Sequence, residues 1–315
     1  MKRAILFPGQ GSQVVGMGKQ LAEAFASARM VFEEVDHALG QNLSQLIFSG
    51  PAEELMLTEN AQPAIMASSI AVLTALEKEM GFRPAVFARF FAGHSLGEYT
   101  ALCAARVISL ADTARLLKLR GQAMQKAVPQ GEGAMAALLG LALDKVKTVV
   151  AEAGSNGACV IANDNSPEQI VISGKKEAVE QVVEAAKAAG AKRAMMLAVS
   201  APFHSPLMQP AAFAMEQALA NVEMNTPTQP IVANVTATAV HVPEDIRKLL
   251  VDQVCAVVRW RESMQYLVKE GVTYAVELGT GTVLSGLMKR TEPGIETFAV
   301  ATPADMEKFE KVNWL

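Results

Sequence analysis

The chain has 315 residues, 51% hydrophobic and 19% charged. That balance buries a full core with room for a second unit and excludes a disordered chain. The formal net charge of −4 gives no bulk attraction to nucleic acid or to an anionic membrane, so any basic surface is local.

Only Ala4–Phe7 separate Lys2-Arg3 from Pro8. Such a run is too short for a signal peptide core, and no apolar run reaches the ~18 residues of a bilayer span. The three cysteines, Cys103, Cys159 and Cys255, are far apart and odd in number. They argue against a disulfide framework or a zinc site, and fit a reduced, cytoplasmic setting.

Ala4–Phe7 reads as a buried strand, followed by the loop Pro8–Gln13 and a helix from Gly18 to Leu39. The loop resembles a nucleotide-binding turn but lacks its residues. A dinucleotide fingerprint needs glycine where Val14 stands, and a P-loop needs lysine where Met17 stands. Its glycines are expected to let backbone amides approach a ligand or a neighbouring loop. Residues 61–80 read as a buried helix.

The apolar run Pro84–Ala92 reads as a strand that enters Gly93-His94-Ser95-Leu96-Gly97, with a helix from Leu96 to Val107 behind it. A G-x-S-x-G motif between strand and helix is a nucleophile elbow, presenting the Ser95 hydroxyl at a helix N-terminus. Gly93 and Gly97 fit because a tight elbow leaves no space for a Cβ. The helix Leu110–Ala127 follows and carries Arg115, Lys118 and Arg120.

Pro129–Gly133 reads as a linker into a self-contained pattern. The expected elements are strand 134–141, helix 143–153, strands 159–163 and 169–173 joined by a polar turn at 164–168, helix 176–189 and strand 193–199. This β-α-β-β-α-β order, in about seventy residues, is the ferredoxin-like arrangement. Ser200-Ala201-Pro202 then returns the chain to the first unit. The expected division is 1–127 with 200–315, and an inserted unit at 128–199. Beyond it, strand 231–234, a largely helical 244–258, strand 274–278, the Gly279-Thr280-Gly281 turn and helix 283–290 continue the alternation. That pattern predicts an α/β fold with a parallel sheet covered on both faces.

A serine nucleophile needs a base, and there are four histidines. His37 lies among Glu33, Glu34 and Asp36 on a surface helix, and His241 in a solvated turn. His94 is next to Ser95 with its side chain expected to point away. His204 sits in Pro202-Phe203-His204-Ser205-Pro206, where two prolines stiffen the loop, and is the candidate base. No acid completes the set. Asp164 falls in the right interval but reads as a β-turn residue, and a backbone carbonyl can orient an imidazole equally well. Arg120, on a largely apolar helix, is either a structural ion-pair partner or a bidentate clamp for a substrate carboxylate.

With these residues assembled, the sequence resembles the malonyl-CoA:acyl carrier protein transacylases, acyltransferases of fatty acid and polyketide synthesis. The likeness covers essentially the whole chain. It rests on FPGQGSQ at 7–13, TENAQPA at 58–64, GHSLGEYTAL at 93–102, LRGQAM at 119–124, NSPEQIVISG at 165–174, PFHSPLM at 202–208 and ELGTGTVLSGLMKR at 277–290. The resemblance implies an α/β-hydrolase-like large subdomain with an inserted ferredoxin-like one. It implies that Ser95 is acylated, that His204 is its base, and that Arg120 binds the malonyl carboxylate. It further implies that the backbone N–H groups of Gln10 and Leu96 form the oxyanion hole. Gln253 would then orient His204 through its main-chain carbonyl, in place of the missing acid.

The implied reaction is ping-pong, from malonyl-CoA to Ser95 and then to the phosphopantetheine thiol of an acyl carrier protein, with no metal or other cofactor. In related acyltransferase domains a polar residue after the nucleophile and a small polar one before the base resemble the methylmalonyl type, so the large apolar Leu96 and Phe203 imply malonyl; Phe203 departs from the serine common there among single-domain members, which implies a tighter pocket. Two basic pairs, Lys192-Arg193 and Lys289-Arg290, are candidates for docking the acidic carrier protein, although basic residues at a helix C-terminus also suit the helix dipole. Three other functions share these residues: an esterase or thioesterase, a non-catalytic interaction module, and a polyketide acyltransferase acting in trans.

Overall fold

A computed structural model of the protein describes residues 2–199 and 201–311; Ser200, read above as the first residue of the return linker, lies outside the described residues. The first part of the chain forms β1 (Lys2–Phe7), α1 (Lys19–Ala24), α2 (Ala26–Leu39), α3 (Leu43–Ser49), α4 (Ala52–Met56), α5 (Thr58–Glu79), α6 (Pro84–Phe87), β2 (Phe90–Gly93), α7 (Leu96–Ala104) and α8 (Leu110–Lys126). The middle forms β3 (Gly133–Leu139), α9 (Leu143–Ala153), β4 (Cys159–Ser166), β5 (Gln169–Lys175), α10 (Lys176–Ala188) and β6 (Arg193–Met196). A 3₁₀ turn (Pro206–Met208) leads into α11 (Gln209–Ala220), β7 (Ile231–Val232), β8 (Ala239–Val240), α12 (Pro243–Gln253), α13 (Trp260–Lys269), β9 (Val272–Leu278), α14 (Val283–Thr291), β10 (Glu296–Val300) and α15 (Pro303–Lys311).

Two sheets result. The larger runs β10-β9-β1-β2-β7-β8, parallel except for the antiparallel β7–β8 pair. The smaller runs β4-β5-β3-β6 and is antiparallel throughout. Helices cover the large sheet on both faces, which explains why its central strands read as unbroken apolar runs. Ala4–Phe7 and Phe91–Ala92 are fully or almost fully buried.

Parallel pairing brings the C-terminal ends of neighbouring strands to one edge, where ligands of such sheets bind. Phe7 pairs with Gly93, Leu6 with Glu277, and Ala92 with Val232. The loop after β1, the elbow after β2, the segment after β7 and the 279–281 turn after β9 therefore lie side by side.

Several local expectations are corrected. The helix expected from Gly18 breaks at Phe25, whose extended backbone (φ −129°, ψ 122°) separates α1 from α2. The run at 84–92 is not one strand. Pro84, preset for a first helical position, starts the short α6, and only Phe90–Gly93 is extended. The helical 244–258 segment ends at Gln253.

Asp164 is not a turn residue. It lies within β4, buried, and accepts hydrogen bonds from Arg261 Nε and Nη2, the latter at 2.7 Å. β4 is polar because it is an edge strand that meets the large unit. Asp164 N–H donates to the Val258 carbonyl at 3.0 Å, and Val258 N–H to the Ala162 carbonyl at 2.9 Å. Among the described residues, no helix is long and apolar enough to cross a membrane.

Candidate active site

The elbow is built by close backbone approach. A Cβ on Gly93 would sit 1.8 Å from the Gly97 carbonyl oxygen, and one on Gly97 would sit 2.3 Å from that of Phe7. Both positions are closed to any side chain. A Cβ on Gly9 would come within 2.7 Å of the His94 carbonyl oxygen, so the loop after β1 runs directly against the elbow. Gln10, next in that loop, is exposed. Its side chain reaches towards Thr58 (3.5 Å).

Ser95 takes a backbone conformation rare outside glycine, φ 53° and ψ −109°. Asn234, just beyond β7, braces it on both sides: Oδ1 accepts from Ser95 N–H at 2.7 Å, and Nδ2 donates to the Gly93 carbonyl at 2.8 Å. With Ser95 N–H committed to Asn234, Leu96 N–H opens α7, where first-turn N–H groups have no partner within the helix.

Ser95 Oγ lies 2.8 Å from His204 Nε2, across 109 positions of sequence. The other ring nitrogen, Nδ1, is 2.9 Å from the main-chain carbonyl of Gln253. A carbonyl only accepts, so Nδ1 carries the proton and Nε2 is left to accept from the serine hydroxyl. Burial first, and then the charge of Arg120, push the imidazole down to about 3. The ring is therefore neutral at physiological pH.

Arg120, on α8, is 1% exposed. Gly121 lets α8 press on the start of α5, where a Cβ would meet the Glu59 Cα at 2.5 Å. From there Arg120 Nη1 donates to Gln62 Oε1 (2.8 Å), and Nη2 donates to Gln253 Oε1 (2.9 Å) and to Ser95 Oγ (3.1 Å). Its guanidinium carbon lies 5.6 Å from the Tyr99 ring centroid. No carboxylate bonds it directly, and Arg120 is absent from the ion pairs of the described residues. A buried guanidinium, held by amides beside a serine hydroxyl, is suited to receive an anion.

The structure thus brings Ser95, His204, Arg120 and Gln253 into contact, with Leu96 opening the helix beside them. Phe203 and Leu96 are both buried in the main apolar cluster. The basic pairs lie elsewhere and are exposed. Lys192 and Arg193 stand at the start of β6, with Lys192 3.1 Å from Glu168, and Lys289 and Arg290 occupy the last turn of α14.

His94 turns away from Ser95, to Asn165 Oδ1 on β4 at 2.8 Å and towards the Trp260 ring. His37 and His241 are exposed.

Sequence reasoning passed over Gln62, Glu98, Asn165 and Asn234. The signal for two of them was present: Gln62 and Glu98 are polar residues inside otherwise apolar helical stretches, and a buried polar group is the informative exception in a core.

Known proteins share the sequence and the fold of this chain. The acyl transferase domain model matches residues 5–302. A malonyl CoA-acyl carrier protein transacylase of Bacillus subtilis is 47% identical over 97% of this chain and 95% of its own length. One of Escherichia coli K12 is 44% identical over 96% and 97%. The crystal structure of an acyl-carrier-protein-S-malonyltransferase from Bartonella henselae superposes with a TM-score of 0.96 at 52% identity, covering 99% of both chains. A malonyl-transacylase solved in complex with a type II polyketide acyl-carrier protein superposes at 0.95 with 41% identity, over 99% of this chain and all of that one. The chain therefore belongs to the acyl transferase domain family, among the malonyl-CoA:acyl carrier protein transacylases.

Proposed function

We propose that the protein moves a malonyl group from malonyl-CoA to the phosphopantetheine thiol of an acyl carrier protein through a malonyl ester on Ser95. The observation that carries this reading is the position of one hydroxyl: Ser95 Oγ lies 2.8 Å from a neutral imidazole and 3.1 Å from a buried guanidinium. The first contact makes a nucleophile, and the second places an anion receptor beside the acyl group that the nucleophile will carry.

His204 Nε2 takes the hydroxyl proton as Ser95 Oγ bonds to the thioester carbonyl carbon. The resulting oxyanion is held by the N–H groups of Leu96 and Gln10. Collapse breaks the C–S bond, and His204 returns the proton to the CoA sulfur. In the second half-reaction the carrier thiol gives its proton to His204, attacks the ester, and Ser95 leaves with that proton. Gln253 keeps the imidazole in one tautomer through its carbonyl. Arg120 grips the malonyl carboxylate, with Leu96 and Phe203 limiting the space around it. No step requires a metal or another cofactor.

The sheet orders support reading the chain as an α/β-hydrolase-like unit (1–127 and 200–315) with a ferredoxin-like insertion (128–199). One similar structure is named in a polyketide setting and the relatives' names give no pathway, so the carrier is defined here by its phosphopantetheine thiol. Docking falls to the Lys192-Arg193 and Lys289-Arg290 pairs, and α14 packs against β4 of the small sheet.

Mass spectrometry after brief exposure to malonyl-CoA, acetyl-CoA and methylmalonyl-CoA tests the reading. A malonyl adduct on Ser95, discharged by carrier protein and not by water, is expected. An adduct that forms equally from acetyl-CoA and is lost to water without carrier protein identifies a thioesterase instead.

A further inference from the structure

Glu98 is a carboxylate in an awkward place. It lies on the first turn of α7, three residues after Ser95 and 2% exposed, among Leu96, Tyr99 and Leu102. Its carboxylate reaches the active site through one oxygen. Oε2 accepts from Gln253 Nε2 at 2.8 Å and from Asn234 N–H at 3.0 Å. The first partner presents its side-chain oxygen to Arg120 and its main-chain oxygen to His204. The second braces the elbow with its side chain.

The Gln253 amide thus lies between a group that can only donate and one that only accepts when ionised. A guanidinium has no acceptor, and a carboxylate has no donor. Such a pair of neighbours allows one orientation of the amide: Oε1 towards Arg120, Nε2 towards Glu98 and the Ser95 carbonyl (3.1 Å). We propose that Glu98 is a positioning residue for the transfer reaction, fixing the Gln253 amide so that Arg120 and Ser95 stay in register without Arg120 acquiring a carboxylate of its own.

The arrangement has a chemical reason. A carboxylate bonded directly to Arg120 would occupy the donors that a substrate carboxylate needs. Placed one amide further away, Glu98 still offsets the buried positive charge, while Arg120 donates only to neutral oxygens of Gln62, Gln253 and Ser95 and its Nε has no hydrogen-bond partner among the described residues. Burial, opposed by the hydrogen bonds of Asn234 and Gln253 and by Arg120, raises Glu98 to about 7, so the carboxylate depends on these donors to hold its charge.

The proposal rests on the function proposed above. Its test is a double-mutant cycle on the full chain, with Glu98→Gln, Gln253→Ala and both together. Gln253→Ala retains the main-chain carbonyl that His204 uses. The readouts are the rate of malonyl loading of Ser95 and the rate of its sulfonylation by phenylmethanesulfonyl fluoride, which needs no malonyl group.

If Glu98 acts through the Gln253 side chain, Glu98→Gln slows loading about tenfold or more in the wild-type chain. It changes the rate less than twofold when Gln253 is already alanine, since coupled neighbours are non-additive. The same factor in both backgrounds overturns the proposal and assigns Glu98 to Asn234 or to packing alone. If Glu98→Gln does not fold, Glu98→Asp takes its place in the cycle; failure of both to fold makes Glu98 a structural residue and equally overturns it. Absence of malonyl loading in the unaltered protein defeats the functional reading instead, and the sulfonylation cycle still decides the role of Glu98.

Discussion

Ser95 and His204 meet side chain to side chain at 2.8 Å, and both hold a positive φ, 53° and 55°. Neither is glycine. Conformations of this kind cost of order 1–3 kcal/mol each and persist where surrounding bonds over-determine them. At Ser95 the restraint is Asn234. At His204 it is the Gln253 carbonyl, together with the neighbouring Ser205 hydroxyl donating to the Pro202 carbonyl at 2.7 Å.

That strain separates two inactive variants. Ser95→Ala and Ser95→Gly both remove the acyl acceptor and should form no malonyl adduct. Glycine adopts the elbow backbone without strain, whereas alanine, like serine, carries a Cβ that strains it. Ser95→Gly should therefore unfold at higher denaturant than Ser95→Ala, by about 1 kcal/mol. Equal midpoints would show that the elbow holds no strain.

Arg120 should set the acyl group. Arg120→Ala removes the partner of a malonyl carboxylate, while an acetyl group has no carboxylate to lose. A charge-assisted hydrogen bond contributes roughly 1.5–3 kcal/mol, about ten- to a hundredfold. Malonyl loading should fall by that factor and the acetyl-to-malonyl ratio should rise. Arg120→Lys should recover little, since an ammonium lacks the planar fork. Equal loss on both thioesters would leave Arg120 a purely structural role.

The pH dependence of loading follows from His204. Burial and the Arg120 charge hold the imidazole at about 3, so the base stays unprotonated well below its ordinary 6.5, and loading should persist into mildly acidic buffer. Arg120→Gln removes the cation while keeping the group polar. The acid limb of that variant should move to higher pH, measured with acetyl-CoA so that the clamp is not at issue. An unmoved limb would mean that Arg120 does not act on the imidazole.

Glu98 leaves a signature in stability. Its native pKa, about 7, is raised from 4.5. The folded chain therefore binds the extra proton between those values, and stability from this group is lost as pH rises through 7. At ~1.4 kcal/mol per unit, ionised Glu98 weighs against the fold by a few kcal/mol above pH 7. Glu98→Gln removes that dependence. The stability of the variant relative to wild type should improve between pH 5 and pH 8 in denaturant melts. His204, depressed rather than raised, contributes with the opposite sign below 6.5 but is common to both proteins and cancels in the difference. A pH-independent difference would refute the raised pKa.

Carrier docking should be separable from chemistry. Lys289→Glu with Arg290→Glu should raise the KM for carrier protein and leave malonyl loading of Ser95 nearly unchanged. The wild-type transfer step should weaken with salt, as exposed charges are screened over about 10 Å at 0.1 M. A defect confined to loading, or transfer indifferent to salt, would remove these residues from the interface.

The elbow was legible because its chemistry is local: Gly93 and Gly97 lie within four residues of each other and within one turn of chain. The small sheet was legible because its period switches cleanly between strand and helix. The brace on Ser95 was not, since Asn234 lies 139 positions away, at the end of the stretch read as strand 231–234, and a strand pattern does not say which distant loop its end meets. Asp164 misled for a related reason. The string NDNSP has turn composition, but an edge strand that meets another unit needs polar residues for side-chain bonds across the junction. The short α6 also escaped detection, because an apolar run gives no period by which to tell one helical turn from a strand.

β3 enters the small sheet and β6 leaves it side by side, Ala136 opposite Met196. The chain between α8 and α11 is thus a detour whose two ends nearly touch, and the large sheet is topologically complete without it. If the small sheet rocks as a body, two adjacent strands flex at one end. It is held to the large unit along its face, where Met135, Ala137 and Val171 join the main apolar cluster, and at the other edge, where Asp164 grips Arg261 and Asn165 holds His94. His94 shares a peptide bond with Ser95. The Asn165–His94 bond therefore ties the small sheet to the nucleophile's own backbone.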